Sequence, residues 1–446
     1  MKALVFERSI PRIAASRLAT LAAGSGRGVS MAPLRLTDIE TPRLPGEGWV
    51  EVAPLLSGIC GSDLSLLDGT GSRHFEPYMS FPFVPGHEIV GTLSSAGGVA
   101  IPGRSPLQDG ERVVVEPVLQ CAARGLDPKC ESCAAGDTGL CLSTTHGHIE
   151  PGLMTGYCKS TGGGWSAAPL VAHASQLHAI PAGMDDTDAV IVEPAACAVH
   201  GALLAKVQEG ENVAVVGAGT LGLLTIAAVR ELTPVGSILA GAKYPHQKRF
   251  AVELGADEAG GREELARAVR RKSHSHLVGG DVVSGADVVF DCVASRGSIL
   301  QSLSLLRPRG RLVLVGMPAR MSLDFPSVWH RELSITGSYT YGVEDVPRGR
   351  VRTFELAIEL AGRLKLGRLV TAAYPLERYE EAVMHAATAG SRGAVKIVFN
   401  PQARPSRPAR SGGNMAAGRD KAGAGSSGGS LHAEVAAIVP GKGEVR

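Results

Sequence analysis

The sequence predicts an α/β chain of two domains, a β-rich unit followed by a doubly wound unit built on a parallel sheet. Three observations predict this. From Gly48 to about Pro181, short apolar runs are broken by Gly and Pro every few residues, the pattern of a compact β unit with long loops. After Pro181 the texture changes to alternating strands and helices, which needs crossover connections and so a parallel sheet covered on both faces. The length of 446 residues exceeds one ordinary domain and suits two.

Residues 1–9 and 48–60 alternate Val, Leu and Ile with polar residues and read as strands. Between them, Pro11 to Met31 is rich in Ala, Arg and Leu. It admits a short helix over Ile13–Ala23 to which no function attaches. Val213–Val216 is a continuous apolar run of strand length, followed by a glycine-rich turn and an apolar helix to about Leu232. Ser237–Ala240 reads as the next strand and His246–Leu254 as a helix. Asp287–Phe290, Ser298–Leu306 and Arg311–Val315 continue the alternation. From Gly337 to Asn400, strand-like ends flank a helical middle, Arg352–Leu364. The predicted division is therefore residues 1–182 completed by 337–400 for the first domain and 183–336 for the second. Residues 401–446 have no aromatic and almost no large aliphatic residue until "LHAEVAAIV", which can form a transient helix or strand. Such a tail cannot bury enough surface to offset its ordering entropy.

A hydrophobic content of 44% and a charged content of 20% support a substantial core, and a net charge of +2 gives no electrostatic reason for a nucleic-acid or anionic-membrane partner. The one notable charge run, "RAVRRKSHSH" at 267–276, reads as a solvated helix face. Arg8, Arg12 and Arg17 interrupt every apolar stretch that could serve as a signal-peptide core. The longest uncharged apolar stretch, Val213–Val229, is short for a membrane span and contains three glycines. The expectation is a cytoplasmic protein.

The strand Val213–Val216 runs into Gly217-Ala218-Gly219-Thr220-Leu221-Gly222, which opens a helix. Gly217 permits a tight turn, Gly219 lets backbone approach a pyrophosphate, and Gly222 lets helix and strand pack closely. The helix N-terminus then offers N–H groups and a positive dipole end to phosphate. This strand–turn–helix context raises a pattern that is weak alone to a predicted NAD or NADP site. The second strand of such a unit normally ends in a carboxylate that holds the ribose. Here its end falls near Ala240–Lys243, with no Asp or Glu, and Lys243, His246, Lys248 and Arg249 follow. That pattern points to a 2′-phosphate, and so to NADP over NAD. The plainer reading is that these cations coat the next helix.

Three segments carry metal-binding side chains: "GICGSD" with Cys60, Ser62 and Asp63, "PGHEIVG" with His87 and Glu88, and "VEPAACAVH" with Glu193. Thiolate, imidazole and carboxylate can hold Zn²⁺ and leave a position open for substrate. Singly, each has a bland reading, with Cys60 a small buried hydrophobe, His87 a turn residue and Glu193 a helix N-terminal charge. Their order ahead of a dinucleotide pattern favours the metal.

"GICGSDL", "PFVPGHEIVG", the cysteine cluster and "VAVVGAGTLGLL" together resemble the zinc-containing medium-chain dehydrogenases, the sorbitol, threonine and glucose dehydrogenase branches above all. The similarity covers most of residues 1–400. It implies a GroES-like catalytic domain and a Rossmann cofactor domain, with Cys60, His87 and Glu193 around a catalytic zinc and Glu88 as an alternating ligand. Cys197 is a possible substitute for Glu193. The zinc polarises the alcohol oxygen or carbonyl, and hydride passes to or from the nicotinamide. The resemblance makes Ser62 the hydroxyl that relays the alcohol's proton, while Asp63 would accept from a ligand imidazole, His87. Many relatives carry a relay histidine where this chain has Ser65. The proton must then leave by another route, through water or past His74, although a place on a surface loop is the plainer reading of His74.

Four of the eight cysteines crowd into residues 121–141, which suggests metal before disulfides. Cys130, Cys133 and Cys141 match the last three ligands of the family's structural zinc lobe. Cys121 lies nine residues before Cys130, where the family spacing is three. Four thiolates in a closed site would staple the lobe and leave no position for catalysis.

The function expected is zinc-dependent hydride transfer between a secondary alcohol, polyol or sugar-like CH–OH group and NAD(P). A zinc-free NADPH-dependent reductase of the same fold would have no use for Cys60, His87 and Glu193 together. A non-enzymatic nucleotide-binding protein is the other alternative. The loops Gly69–Phe83, "STGGGWS" at 160–166 and "GSYTYG" at 337–342 read as pocket-lining, mix polar and aromatic residues, and favour a hydroxylated substrate. The resemblance implies a homodimer or homotetramer.

Overall fold

The computed structural model describes residues 1–94, 99–100, 106–278, 281–282 and 284–403. The expected tail segment "LHAEVAAIV" lies outside them. A seven-stranded sheet runs in the order Val370–Tyr374, Lys396–Phe399, Trp49–Gly58, Ile89–Leu93, Arg112–Val115, Leu177–Ala179, with Leu170–His173 paired to Trp49–Gly58. The chain thus re-enters its first sheet through its last two strands. The pleat sorts the side chains. Ile89, Val113 and Val115 join one core, while Val90 and Val114, one residue along, join another. The N-terminal strand Lys2–Phe6 pairs antiparallel with Leu34–Asp38, a strand the sequence pattern did not announce.

The second sheet has six strands, all parallel, in the order Glu258–Gly260, Ser237–Gly241, Asn212–Val216, Ala286–Asp291, Leu306–Leu314, Ser334–Gly337. Strand order reverses between Asn212–Val216 and Ala286–Asp291, which opens a crevice at their carboxyl ends. Continuous apolar runs such as Val213–Val215 are wholly buried, as strands covered on both faces must be.

The largest core joins the two sheets. Leu56, Val90 and Val114 of the first pack with the helices Val192–Leu204, Thr220–Leu232 and Thr353–Leu364. The helix that carries Glu193 is therefore held on several sides. The segment of unassigned function forms a helix over Ile10–Ala23, three residues longer than expected, with proline in its first turn, where a missing N–H costs nothing. It is tied to the helix Gly61–Leu67. Ser16 Oγ donates to Leu67 O at 2.5 Å, and the buried Asp68 carboxylate accepts from Thr20 Oγ1, Ser25 Oγ and Gly26 N. The basic stretch forms the helix Arg262–Lys272, with exposed ion pairs such as Arg271–Glu258. Among the described residues, no helix is long and apolar enough to cross a membrane.

Candidate active site and metal centres

The strand Trp49–Gly58 delivers Cys60 to the first turn of helix Gly61–Leu67, where the Cys60 N–H donates to Asp63 Oδ2 at 2.9 Å. His87 and Glu88 lead into the neighbouring strand, and Gly58 N donates to Glu88 O at 2.9 Å, so adjacent strand ends bring the three together. Donor atoms of Cys60, His87 and Glu88 all lie within 4.8 Å of one another. His87 Nδ1 is 3.6 Å from Asp63 Oδ1, both buried. Burial opposes protonation of His87, but Asp63, Cys60 and Glu193 outweigh it and hold the imidazole well above its ordinary value. A half-buried thiol beside a buried imidazole and carboxyl, which together draw in positive charge, suits a divalent cation of borderline softness.

Glu193 stands in the first turn of helix Val192–Leu204, outside that tight group but close enough for its charge to act on His87. Its Oε1 accepts from Tyr341 Oη at 3.2 Å and from Cys197 Sγ at 3.7 Å. Burial pushes its carboxyl up to about 7, against the pull of His87. The Cys197 thiol is likewise held well up by burial.

Lys396 and Tyr157, two neighbours of this group, escaped the sequence reading, whereas Tyr341 falls in the "GSYTYG" loop that reads as pocket-lining, though without its partner. Lys396, 3% exposed, forms an ion pair with the 1%-exposed Glu88 and donates to Ile59 O at 3.0 Å. Tyr341 reaches Glu193 from 148 residues away. Tyr157 Oη lies 3.2 Å from both Ser62 Oγ and Asp63 Oδ1. No local pattern could reveal contacts of such separation. One expectation is corrected. The "STGGGWS" loop does not line a pocket: Trp165 is fully buried, its ring 5.0 Å from Phe399 and its Nε1–H bonded to Gly58 O, because the glycines before it let the loop pass close under the strands. His74 takes the surface place that is its plainer reading. It is exposed, its ring against Phe75 and Tyr78.

The dinucleotide turn has the geometry its glycines require. Gly217 sits at φ +94, and a Cβ there would meet Val293 Cγ2 at 2.3 Å. A Cβ on Gly222 would lie 1.7 Å from Gly217 O, which leaves no room for any other residue. At Gly219 the opposite holds: an added Cβ meets nothing within 4 Å. That open space fronts the first turn of helix Thr220–Leu232, whose N–H groups have no intrahelical acceptor, the kind of helix N-terminus that can receive phosphate. Ala218 is buried and Leu221 half-buried behind the turn, while Thr220 Oγ1 donates to Val395 O at 3.2 Å. Of the four cations that follow the second strand, Lys248 pairs with Glu264, Arg249 with Glu253, and His246 bonds Ala394 O. Lys243 is exposed, makes no ion pair among the described residues, and lies over the Tyr244 ring.

Cys121, Cys130, Cys133 and Cys141 converge with all four sulfurs within 4.8 Å. Backbone N–H groups of Cys130, Leu142 and Ser143 point at the sulfurs of Cys121, Cys130 and Cys141 at 3.4–3.5 Å, an arrangement that stabilises thiolates. The hydrogen bond from Cys133 lowers the Cys141 thiol to about 5. The extra residues after Cys121 form a turn that brings it back to Cys130, so the unusual spacing still closes a four-sulfur site, the donor set of a structural zinc. The lobe also reaches the active site. Gly139 N donates to Tyr341 O, and Val343 N to Gly136 O, so it braces the segment that presents Tyr341 to Glu193.

A dinucleotide cradle beside a buried Cys/His/Glu group defines a nicotinamide-linked metallo-oxidoreductase. Residues 46–182 match the family model described as alcohol dehydrogenase GroES-like domain, and residues 220–355 the one described as zinc-binding dehydrogenase. The probable D-xylulose reductase A of Arthroderma otae is 30% identical over 358 residues, 78% of this chain and 90% of that protein. The sorbitol dehydrogenase of Halalkalibacterium halodurans is 28% identical over 80% of this chain and 93% of its own. Galactitol-1-phosphate dehydrogenase from Escherichia coli shares the fold, with a TM-score of 0.64 at 21% identity over 90% of this chain and all of that one. The chain belongs to the zinc-dependent medium-chain alcohol dehydrogenases. It is an NAD(P)-linked enzyme acting on CH–OH groups, on a GroES-like and Rossmann framework.

Proposed function

We propose that this enzyme interconverts a polyol or sugar-like secondary alcohol and its ketone, with Cys60, His87 and Glu88 holding the catalytic zinc, Glu193 closing the site from the facing helix, and Ser62 receiving the alcohol's proton. The observation that carries this is the convergence of Cys60, His87 and Glu88 two residues from the Ser62 hydroxyl. Bound there, zinc supplies Lewis acidity that favours loss of the alcohol's proton. The chain's own residues do the rest. Asp63 steadies the His87 ring, Lys396 anchors Glu88, and Tyr341 orients Glu193. The Gly217–Gly222 turn would hold NAD(P), which when bound supplies the acceptor for hydride from the carbon that bears the hydroxyl. Ser62, Glu193 and Tyr341 give the site hydroxyl and carboxyl partners for a many-hydroxyl substrate, and polyol-acting proteins stand among its relatives.

Lys243, with no ion pair among the described residues and close after a strand end that lacks a carboxylate, supports NADP as the preferred cofactor. The cysteine quartet holds a second, structural zinc. We divide the chain into 1–182 with 337–400 as the catalytic domain and 183–336 as the cofactor domain, with 401–446 as a tail. The strand Ser334–Gly337 ends the parallel sheet with one side unpaired among the described residues, and Phe325, Trp329 and Ile335 are exposed nearby. A second copy of this chain would cover that edge, which supports a homodimer, alone or within a tetramer. None of the eight cysteines forms a disulfide, which suits a reducing cytoplasm. A panel of polyols and simple alcohols, run with NAD⁺ and NADP⁺, tests the reading. Polyol-dependent reduction with the lower KM for NADP⁺ is expected; turnover confined to simple aliphatic alcohols would refute it.

A further inference from the structure

We propose that Tyr157 is the positioning residue that sets the direction of the Ser62 hydroxyl and so makes Ser62 an acceptor for the substrate's proton. This rests on Ser62 being the hydroxyl that faces the alcohol. Ser62 belongs to helix Gly61–Leu67, whereas Tyr157 comes from a loop 95 residues later. The phenol is buried, with its oxygen 3.2 Å from Ser62 Oγ and 3.2 Å from Asp63 Oδ1. Its ring is wedged between His87, with centroids 5.5 Å apart, and Phe83, 5.6 Å apart, so it cannot swing away. The carboxylate is fixed in turn, because its other oxygen accepts from the Cys60 N–H.

Hydrogen-bond polarity then runs one way. A phenol has one proton, and a carboxylate can only accept. Tyr157 therefore gives its proton to Asp63 and leaves a lone pair facing Ser62. Ser62 has one proton as well, which that lone pair takes. The lone pairs that remain on Ser62 Oγ are the ones presented to an incoming O–H, and as that proton arrives the serine's own passes to Tyr157 and the phenol's to the Asp63 carboxylate. Without the phenol oxygen the serine hydroxyl is free to turn among its staggered positions, some of which aim its own proton at the substrate and offer no acceptor. The arrangement also answers the absence of a relay histidine at Ser65: the partner of Ser62 comes from outside the helix.

Tyr157→Phe keeps the ring and removes only the oxygen. The test compares wild type, Tyr157→Phe, Ser62→Ala and the double variant for zinc per chain, cofactor Kd, and kcat and KM for alcohol oxidation. Tyr157→Phe should keep its zinc and its cofactor Kd, lose about 10- to 100-fold in kcat as an oriented proton acceptor is lost, and leave KM nearly unchanged. The double variant should be no slower than Ser62→Ala, because both changes break one chain. Losses that multiply, full kcat in Tyr157→Phe, or loss of zinc from it would overturn the proposal. Full kcat in Ser62→Ala would instead remove the reading of Ser62 on which it stands.

Discussion

Replacing Gly219 by Ala separates two reasons for a glycine, because the structure predicts little effect on folding and a loss of cofactor binding. Gly219 has φ −77, which alanine adopts freely, and its added Cβ would meet nothing within 4 Å. Alanine gains about 0.4–1 kcal/mol by restricting the unfolded chain. It loses a similar amount, about 0.5–1 kcal/mol, as a poorer helix N-cap than glycine. Net stability should stay within about 1 kcal/mol of wild type. The same methyl group stands where the pyrophosphate must approach the helix N-terminus. Overfilling a packed contact costs about 1–3 kcal/mol, which is about 5- to 150-fold in Kd. Gly222→Ala provides the contrast, since its Cβ would sit 1.7 Å from Gly217 O and the strand–helix packing must give. It should lower the unfolding temperature as well as binding. Calorimetric titration with NADP⁺ and thermal unfolding of both variants supply the readouts. Wild-type affinity in Gly219→Ala would refute the placement of the pyrophosphate.

Two further outcomes follow from buried charge. Lys396→Met strands the Glu88 carboxylate, and breaking such a pair should cost the metal-free protein about 3–5 kcal/mol in denaturant unfolding; a loss under about 1 kcal/mol would show that the pair holds nothing together. Glu116, buried between Arg352 and His178, titrates below its ordinary 4.5, because those partners outweigh its burial. A depressed carboxyl contributes stability that is present above its unfolded value and lost as pH falls through its folded one. Glu116→Gln should therefore be less stable than wild type at neutral pH, with the gap closing in acid below that value, as unfolding curves across pH would show.

Much of the architecture could be read from the sequence because it is written locally. The run Val213–Val216, the glycines after it and the apolar helix behind them are contiguous, and the structure places them as read. The re-entry of Lys396–Phe399 into the first sheet was anticipated too, but not that this strand brings Lys396 to Glu88, a contact made across 308 positions. Tyr157 stayed hidden for the same reason: it lies in an irregular loop, and tertiary closure alone gives it a partner. The "GSYTYG" loop reads as pocket-lining, but nothing local shows that its Tyr341 meets Glu193. Trp165 was misread because glycine-flanked loops ordinarily lie outside. Here the glycines serve close packing, and the indole is core.

The central claim is that Cys60, His87 and Glu88 hold the zinc on which alcohol oxidation depends. Zinc per chain, measured beside polyol-dependent reduction of NADP⁺ in wild type and Cys60→Ala, tests it most directly. The variant should hold one zinc fewer per chain, bind cofactor as wild type does, and show no turnover. A Cys60→Ala protein that keeps its full zinc complement or still oxidises the polyol would contradict the account.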